Sequence, residues 1–141
     1  MPFEFIDHTA DMALRASGAS FEEALCEAAR ALFALMVPPE QVALREHVEI
    51  RASGTTRELL TVDWLAELLA QKDLTGCLFA EFVVALDRTS DGVYVLDGIA
   101  RGEPLDRRRH DVGAEVKGVS YAGLHVRERD DGWEIQCVVD L

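Results

Sequence analysis

Acidic oxygen is plentiful in this chain, and its two ends hold it in a pattern suited to a cation. His8-Thr9-Ala10-Asp11 lies near the start and Asp140-Leu141 at the other extreme. An N-terminal segment and a C-terminal strand often share one sheet. If these do, Asp11, Asp140 and the terminal carboxylate of Leu141 converge. Carboxylates within about 5 Å repel one another unless a cation neutralises them or they retain protons, and hard oxygen donors favour Mg²⁺ or Ca²⁺ over zinc. A plainer alternative stands beside this: Asp11 caps a turn and Leu141 is a frayed end.

Two further groups could serve such a centre. His8 could hydrogen-bond Asp11 or support a ligand carboxylate, and a turn or core histidine explains it equally well. Lys117 interrupts the apolar run Val116 to Val119 with a long cation that could compensate the acids or meet an acidic partner. It is also what an edge strand uses to discourage pairing. Asp63 and Glu67, one helical turn apart, read as the wet face of a helix. Phosphate-loop, dinucleotide, nucleophile-elbow and zinc-hydrolase motifs do not occur, so the chain carries no complete catalytic set of its own.

Composition narrows the partners. The 141 residues carry a formal charge of −12, from 26 acidic and 14 basic side chains. That balance repels phosphate backbones and argues against strong independent nucleic-acid binding. Arg107-Arg108-Arg109-His110 is the one basic run; it reads as a solvated turn or a local contact for an anion. No apolar stretch is long enough to span a bilayer and the first residues do not resemble a signal peptide, so the cytoplasm is the expected compartment. Cys26, Cys77 and Cys137 are few, odd in number and set among apolar residues, as reduced and largely buried thiols would be.

These residues need elements to hold them. Phe3 to Ile6 and Asp11 to Ala16 read as a bent strand or a tight pair. Ser20 with Glu23 has capping-box spacing and opens a helix whose stripe is Phe21, Leu25, Ala28, Ala29, Leu32, Phe33 and Met36. A strand over 44–52 leads to a second box, Thr55 with Glu58, and a helix through Trp64 and Leu68 that stops before Gly76. Strands follow at 78–86, 93–96, 114–119, 124–128 and 133–139, with Gly98, Gly102 and Pro104 loosening the pattern. Trp133, Ile135, Cys137 and Val139 share one face of the last strand. The sum is a single α+β domain over 1–141, a two-layer sandwich with a mainly antiparallel or mixed sheet covered by two helices on one side. The pattern shows no repeat that requires a second domain.

In order and spacing these segments resemble the archease family over nearly the whole chain. The resemblance rests on Phe5-Ile6-Asp7-His8-Thr9-Ala10-Asp11, the helix through Ala28-Ala29-Arg30-Ala31-Leu32-Phe33, and Leu59 to Leu69. It continues in Arg101-Gly102-Glu103-Pro104-Leu105-Asp106, Arg109-His110, Glu115 to Tyr121 and Val138-Val139-Asp140-Leu141. It implies an accessory protein, not itself an enzyme, that assists an RtcB-type RNA ligase in tRNA splicing and RNA repair. Such a protein promotes guanylylation of the ligase by GTP, which the ligase rather than this chain uses, and restores multiple turnover. The resemblance also implies a Ca²⁺-like ion, with Mg²⁺ or Mn²⁺ as substitutes, on Asp11, Asp140 and the terminal carboxylate of Leu141, with His8 and Lys117 in support. The chain departs from the family at Ala122, where relatives commonly carry histidine, and at Gly118, commonly alanine. A general chaperone or interaction module and a small metal-dependent hydrolase are the alternative classes.

Overall fold

Two side-chain hydroxyls decide where the helices begin. In the computed structural model, which describes residues 2–7 and 11–141, Ser20 caps α1 (Phe21–Ala34) by accepting from the Glu23 amide at 3.1 Å. The Glu23 carboxylate returns to the Ala19 amide at 3.0 Å, which leaves two otherwise orphaned donors satisfied. Thr56, one residue later than the expected Thr55, caps α2 (Arg57–Thr75) by accepting from Leu59 N at 3.1 Å. Gly76, at φ 73°, closes that helix in the left-handed conformation that glycine adopts at little cost.

Strands β1 (Phe3–Asp7), β2 (Asp11–Gly18), β3 (Glu46–Gly54), β4 (Cys77–Arg88), β5 (Tyr94–Pro104), β6 (Gly118–Arg129) and β7 (Gly132–Asp140) complete the α+β fold. They divide into two antiparallel sheets, ordered β1-β2-β7-β6 and β3-β5-β4, instead of forming one. Each helix touches both: α1 lies against β2, β7 and β4, and α2 against β3, β5, β4 and β6. The shared core includes Leu14, Leu25, Leu32, Trp64, Leu68, Leu96, Ile135 and Cys137, all fully buried. Trp64 is satisfied inside it, because its indole N–H donates to the Leu25 carbonyl across the helix pair at 3.0 Å. Cys77 and Cys137 are buried and Cys26 is half-buried; all three are free, and burial pushes the Cys137 thiol up to about 12.

Several boundaries differ from the sequence expectation for identifiable reasons. β5 runs straight through Gly98 and Gly102, which act as clearances: a Cβ on Gly98 would sit 2.8 Å from the Trp64 ring, and one on Gly102 1.8 Å from Leu78 O. The strand expected from 114 begins only at Gly118, because the Gly113 and Ala114 amides go to the end of α1, at Met36 O and Leu35 O, and not to a ladder. β6 then joins two expected strands through a register shift between Ser120 and His125.

The two sheets are built from the same unit. β3, α2, β4 and β5 form one βαββ unit in which the first strand pairs with the last, and β2, α1, β6 and β7 repeat that order with the first unit inserted between α1 and β6. Arg15-Ala16-Ser17-Gly18 and Arg51-Ala52-Ser53-Gly54 end the two first strands. Cβ atoms on Gly18 and Gly54 would lie 2.6 and 2.4 Å from the Ala24 and Leu60 amides, the matching points of the two helices. Gly18 faces Trp133 and Gly54 faces Tyr94 across their sheets. The sequence reading passed over this duplication.

Candidate functional site

Strand register brings the two predicted acids together. Asp11, the first residue of β2, lies directly opposite Asp140, the last residue of β7. Cross-strand partners in an antiparallel pair share a face with Cβ atoms about 5 Å apart, and like charges there repel. The row continues to Gly118 of β6, and Lys117 donates its backbone N–H to the Asp140 carbonyl at 2.8 Å. A Cβ on Gly118 would stand 3.7 Å from Asp140 Oδ2, so the carboxylate leans over the glycine. Asp140, Leu141 and the Lys117 side chain are exposed, and Asp11 is half-exposed.

No cation of the protein neutralises this row among the described residues. Every ion pair there involves other groups, so neither aspartate has a lysine or arginine nitrogen within 4.0 Å. Nor do the described residues hold a cluster of three or more His, Cys, Asp or Glu side chains suited to a metal. A third oxygen donor would have to come from a terminal carboxylate or a backbone carbonyl. His8 falls outside the described residues. Asp63 is more than a wet-face residue, since its carboxylate accepts from Ser53 N at 2.9 Å and ties α2 to the end of β3.

A buried carboxylate elsewhere in the fold is handled in the opposite way. Glu103, in β5, is only 1% exposed. It accepts from Ala43 N at 2.8 Å, from Arg109, and from His110 Nε2 at 2.9 Å, with Arg45 at 3.9 Å. The Ala43 amide, with Arg109 and His110, holds its carboxyl down to about 2 against the upward pull of burial. His110 Nδ1 accepts from Asp106 N at 2.9 Å, so Nε2 carries the proton and the ring donates to Glu103 as a neutral imidazole. No buried polar side-chain atom among the described residues lacks a partner. This clasp fixes the turn that contains the basic run.

The sequence and fold have well-defined relatives. The model of the Archease protein family matches residues 3–141. The chain belongs to that family. It is 41% identical to the archease of Methanopyrus kandleri over all of both chains, and 34% identical to that of Pyrococcus furiosus over 99% of this chain and 98% of the relative. The solution structure of Methanobacterium thermoautotrophicum protein 1598 superposes with a TM-score of 0.88 at 33% identity, covering 99% of each chain. A crystal structure of a Thermotoga maritima archease, described as a possible chaperone, shares the fold at TM-score 0.61 and 23% identity, covering 96% and 94%.

Gly118 and Ala122, where the family resemblance led to the expectation of alanine and histidine, both lie on β6, Gly118 within the acid row and Ala122 four residues on. Gly118 leaves open the space where an alanine methyl would meet Asp140 in ordinary contact. Ala122 sits exposed in the register shift that follows Ser120, whose hydroxyl accepts from the Ala122 amide at 3.2 Å. The Glu103 clasp was the main feature that residue-by-residue reading missed. By alternation Glu103 falls on the same face of β5 as exposed Asp97 and Arg101, so its one local signal was its place between Gly102 and Pro104. Among the described residues no helix is long and apolar enough to cross a membrane.

Proposed function

We propose that this archease is an accessory protein of an RtcB-type RNA ligase, promoting GTP-dependent guanylylation of the ligase and multiple-turnover joining of RNA ends in the cytoplasm. Family membership supports an accessory role. The observation that carries the site is the pairing of Asp11 with Asp140, two like charges that the fold sets side by side without a cation of its own among the described residues. Such a pair suits a divalent ion that accepts hard oxygen, Ca²⁺ first and Mg²⁺ or Mn²⁺ as substitutes.

Asp11 and Asp140 would hold the ion with the terminal carboxylate of Leu141. The bound ion would supply positive charge able to offset phosphate charge on the ligase's GTP. Lys117, fastened to the Asp140 carbonyl through its backbone, brings a second cation to the same end of the fold. His8 would support a ligand carboxylate. The ion would also staple β7 to β2 and so shape the face that meets the ligase.

The test is a ligation assay with the cognate ligase, GTP and divalent metal, with and without this protein and with its Asp140→Ala variant. Stimulation of guanylylation and turnover by the parent chain, and its loss in the variant, is the expected result. Unchanged turnover on adding the parent chain sinks the proposal. A variant that still docks but no longer stimulates assigns the ion a direct role, and one that no longer docks assigns it the staple.

A further inference from the structure

Segment 105–117 has no regular secondary structure, yet it is fixed at both ends of its path. Leu105 N donates to Gly76 O at the end of α2 at 2.9 Å. Gly113 N and Ala114 N donate to Met36 O and Leu35 O at the end of α1, at 2.8 and 2.9 Å. The Glu103 clasp holds Arg109 and His110 between these points, and Asp106 O accepts from the amides of both. The segment therefore crosses the C-terminal ends of both helices before Lys117 reaches Asp140.

Fixing the segment this way exposes groups that a soluble surface has no need to show together. Leu105 is 37% exposed and Val112 45%. Both line a cleft with Leu78 as further floor, and Lys72 and Arg107 on the rim. Arg107 and Arg108 make no ion pair among the described residues, whereas Arg109 is committed to Glu103 and Asp106. Lys72 has only exposed Asp73, at 3.7 Å, and Glu115 is the single acid lining the cleft.

We propose that this cleft is a docking site for an acidic, extended segment of a partner protein, with one large apolar side chain seated on Leu78, Leu105 and Val112 and its carboxylates on Arg107 and Lys72. The apolar floor favours a peptide over a nucleic acid, because phosphates gain nothing from it. The charge of −12 points the same way: a polyanion longer than about 10 Å meets the acidic body beyond the rim, while a short segment does not. Guanidinium is suited to two-point recognition of carboxylate. Glu115 repels acid from one end of the cleft and so sets the segment's direction. Because the backbone is already bonded in place, docking orders little on this side. This goes beyond the ligase reading and does not depend on it.

Fluorescein-labelled short peptides titrated with the full chain test it by anisotropy, without ligase or metal. An acidic peptide containing leucine and phenylalanine is expected to bind about tenfold tighter than an acidic peptide with glycine and serine, and tighter still than a basic apolar peptide. Arg107→Glu should weaken the first by about tenfold. Val112→Ser should bring the first down to the second. Both residues are exposed, and circular dichroism confirms that the variants fold, while Asp11→Ala should bind like the parent. Equal binding of the two acidic peptides, tighter binding of labelled oligouridylate RNA, indifference to Arg107→Glu, or no peptide binding at all would each overturn the proposal.

Discussion

The duplicated units meet solvent with the same row of three positions and fill it with opposite chemistry. At the start of the first strand and the end of the last, the inserted unit places His47 opposite Arg101, with Glu81 of β4 beyond. Arg101 Nε lies 3.5 Å from Glu81 Oε1, so that row is neutralised within itself. The outer unit places Asp11, Asp140 and Gly118 in the corresponding positions. The fold thus has no need of two acids facing each other there: one copy of the unit sets His47 opposite Arg101 instead. The two facing acids of the outer row are what the proposed divalent cation would account for.

The Glu103 carboxylate, close to the inserted row, sharpens the contrast and carries the largest expected effect. Glu103→Ala removes the acceptor for Ala43 N, His110 Nε2 and Arg109 together, and should cost about 3 to 5 kcal/mol in chemical denaturation. A loss under about 1 kcal/mol would put the clasp on a par with a surface pair and dissolve the distinction. The pH dependence follows from the sign of the shift. A carboxyl that titrates near 2 when folded and near 4.5 when unfolded stabilises fully above 4.5. That contribution fades as pH falls from there to about 2, and Glu103→Gln should lose this part of the acid transition. Glu134 adds in the same direction: burial alone would raise it, but Arg129 and His125 hold it below the usual range.

Next comes the metal. If the outer row holds a divalent ion, Ca²⁺ at about a hundred times its dissociation constant should raise stability by about 2.7 kcal/mol, read as an upward thermal shift that chelator reverses. Asp140→Arg copies the inserted unit's residue into the outer row, where it faces Asp11 as a local ion pair. The thermal response to Ca²⁺ should vanish in that variant while the fold persists. A response that survives would place the ion elsewhere and break the comparison at its centre.

Much of this was legible in the sequence, and the limits have physical causes. Alternation in β2 and β7 already set Asp11 and Asp140 on the face opposite Leu14, Cys137 and the rest of the core, so one antiparallel pairing sufficed to join them. Capping spacing found both helices, missing by one residue where Thr55 and Thr56 offer adjacent hydroxyls. Division into two sheets was not legible, because the hairpin β6–β7 carries no local mark that it pairs with β2 and not β5. The repeated Arg-Ala-Ser-Gly was such a mark for the duplication, and only four residues long. The Glu103 clasp joins residues 43, 103, 109 and 110, a meeting that composition and period do not encode.

The smallest effects test whether the two rows differ in folding or only in function. Removing the inserted row's pair with Arg101→Ala should cost no more than about 1 kcal/mol, since both partners are largely solvated. In the outer row the sign should reverse. Asp140→Asn, measured in chelator, relieves two like charges set opposite each other and should leave stability unchanged or raise it by about 0.2 to 1 kcal/mol. A protein that is made more stable by losing a side chain, yet loses its response to Ca²⁺ with it, keeps that side chain for its ligand. A clear loss of stability in chelator would instead make Asp140 a structural residue, and the two rows would then be variants of one folding device.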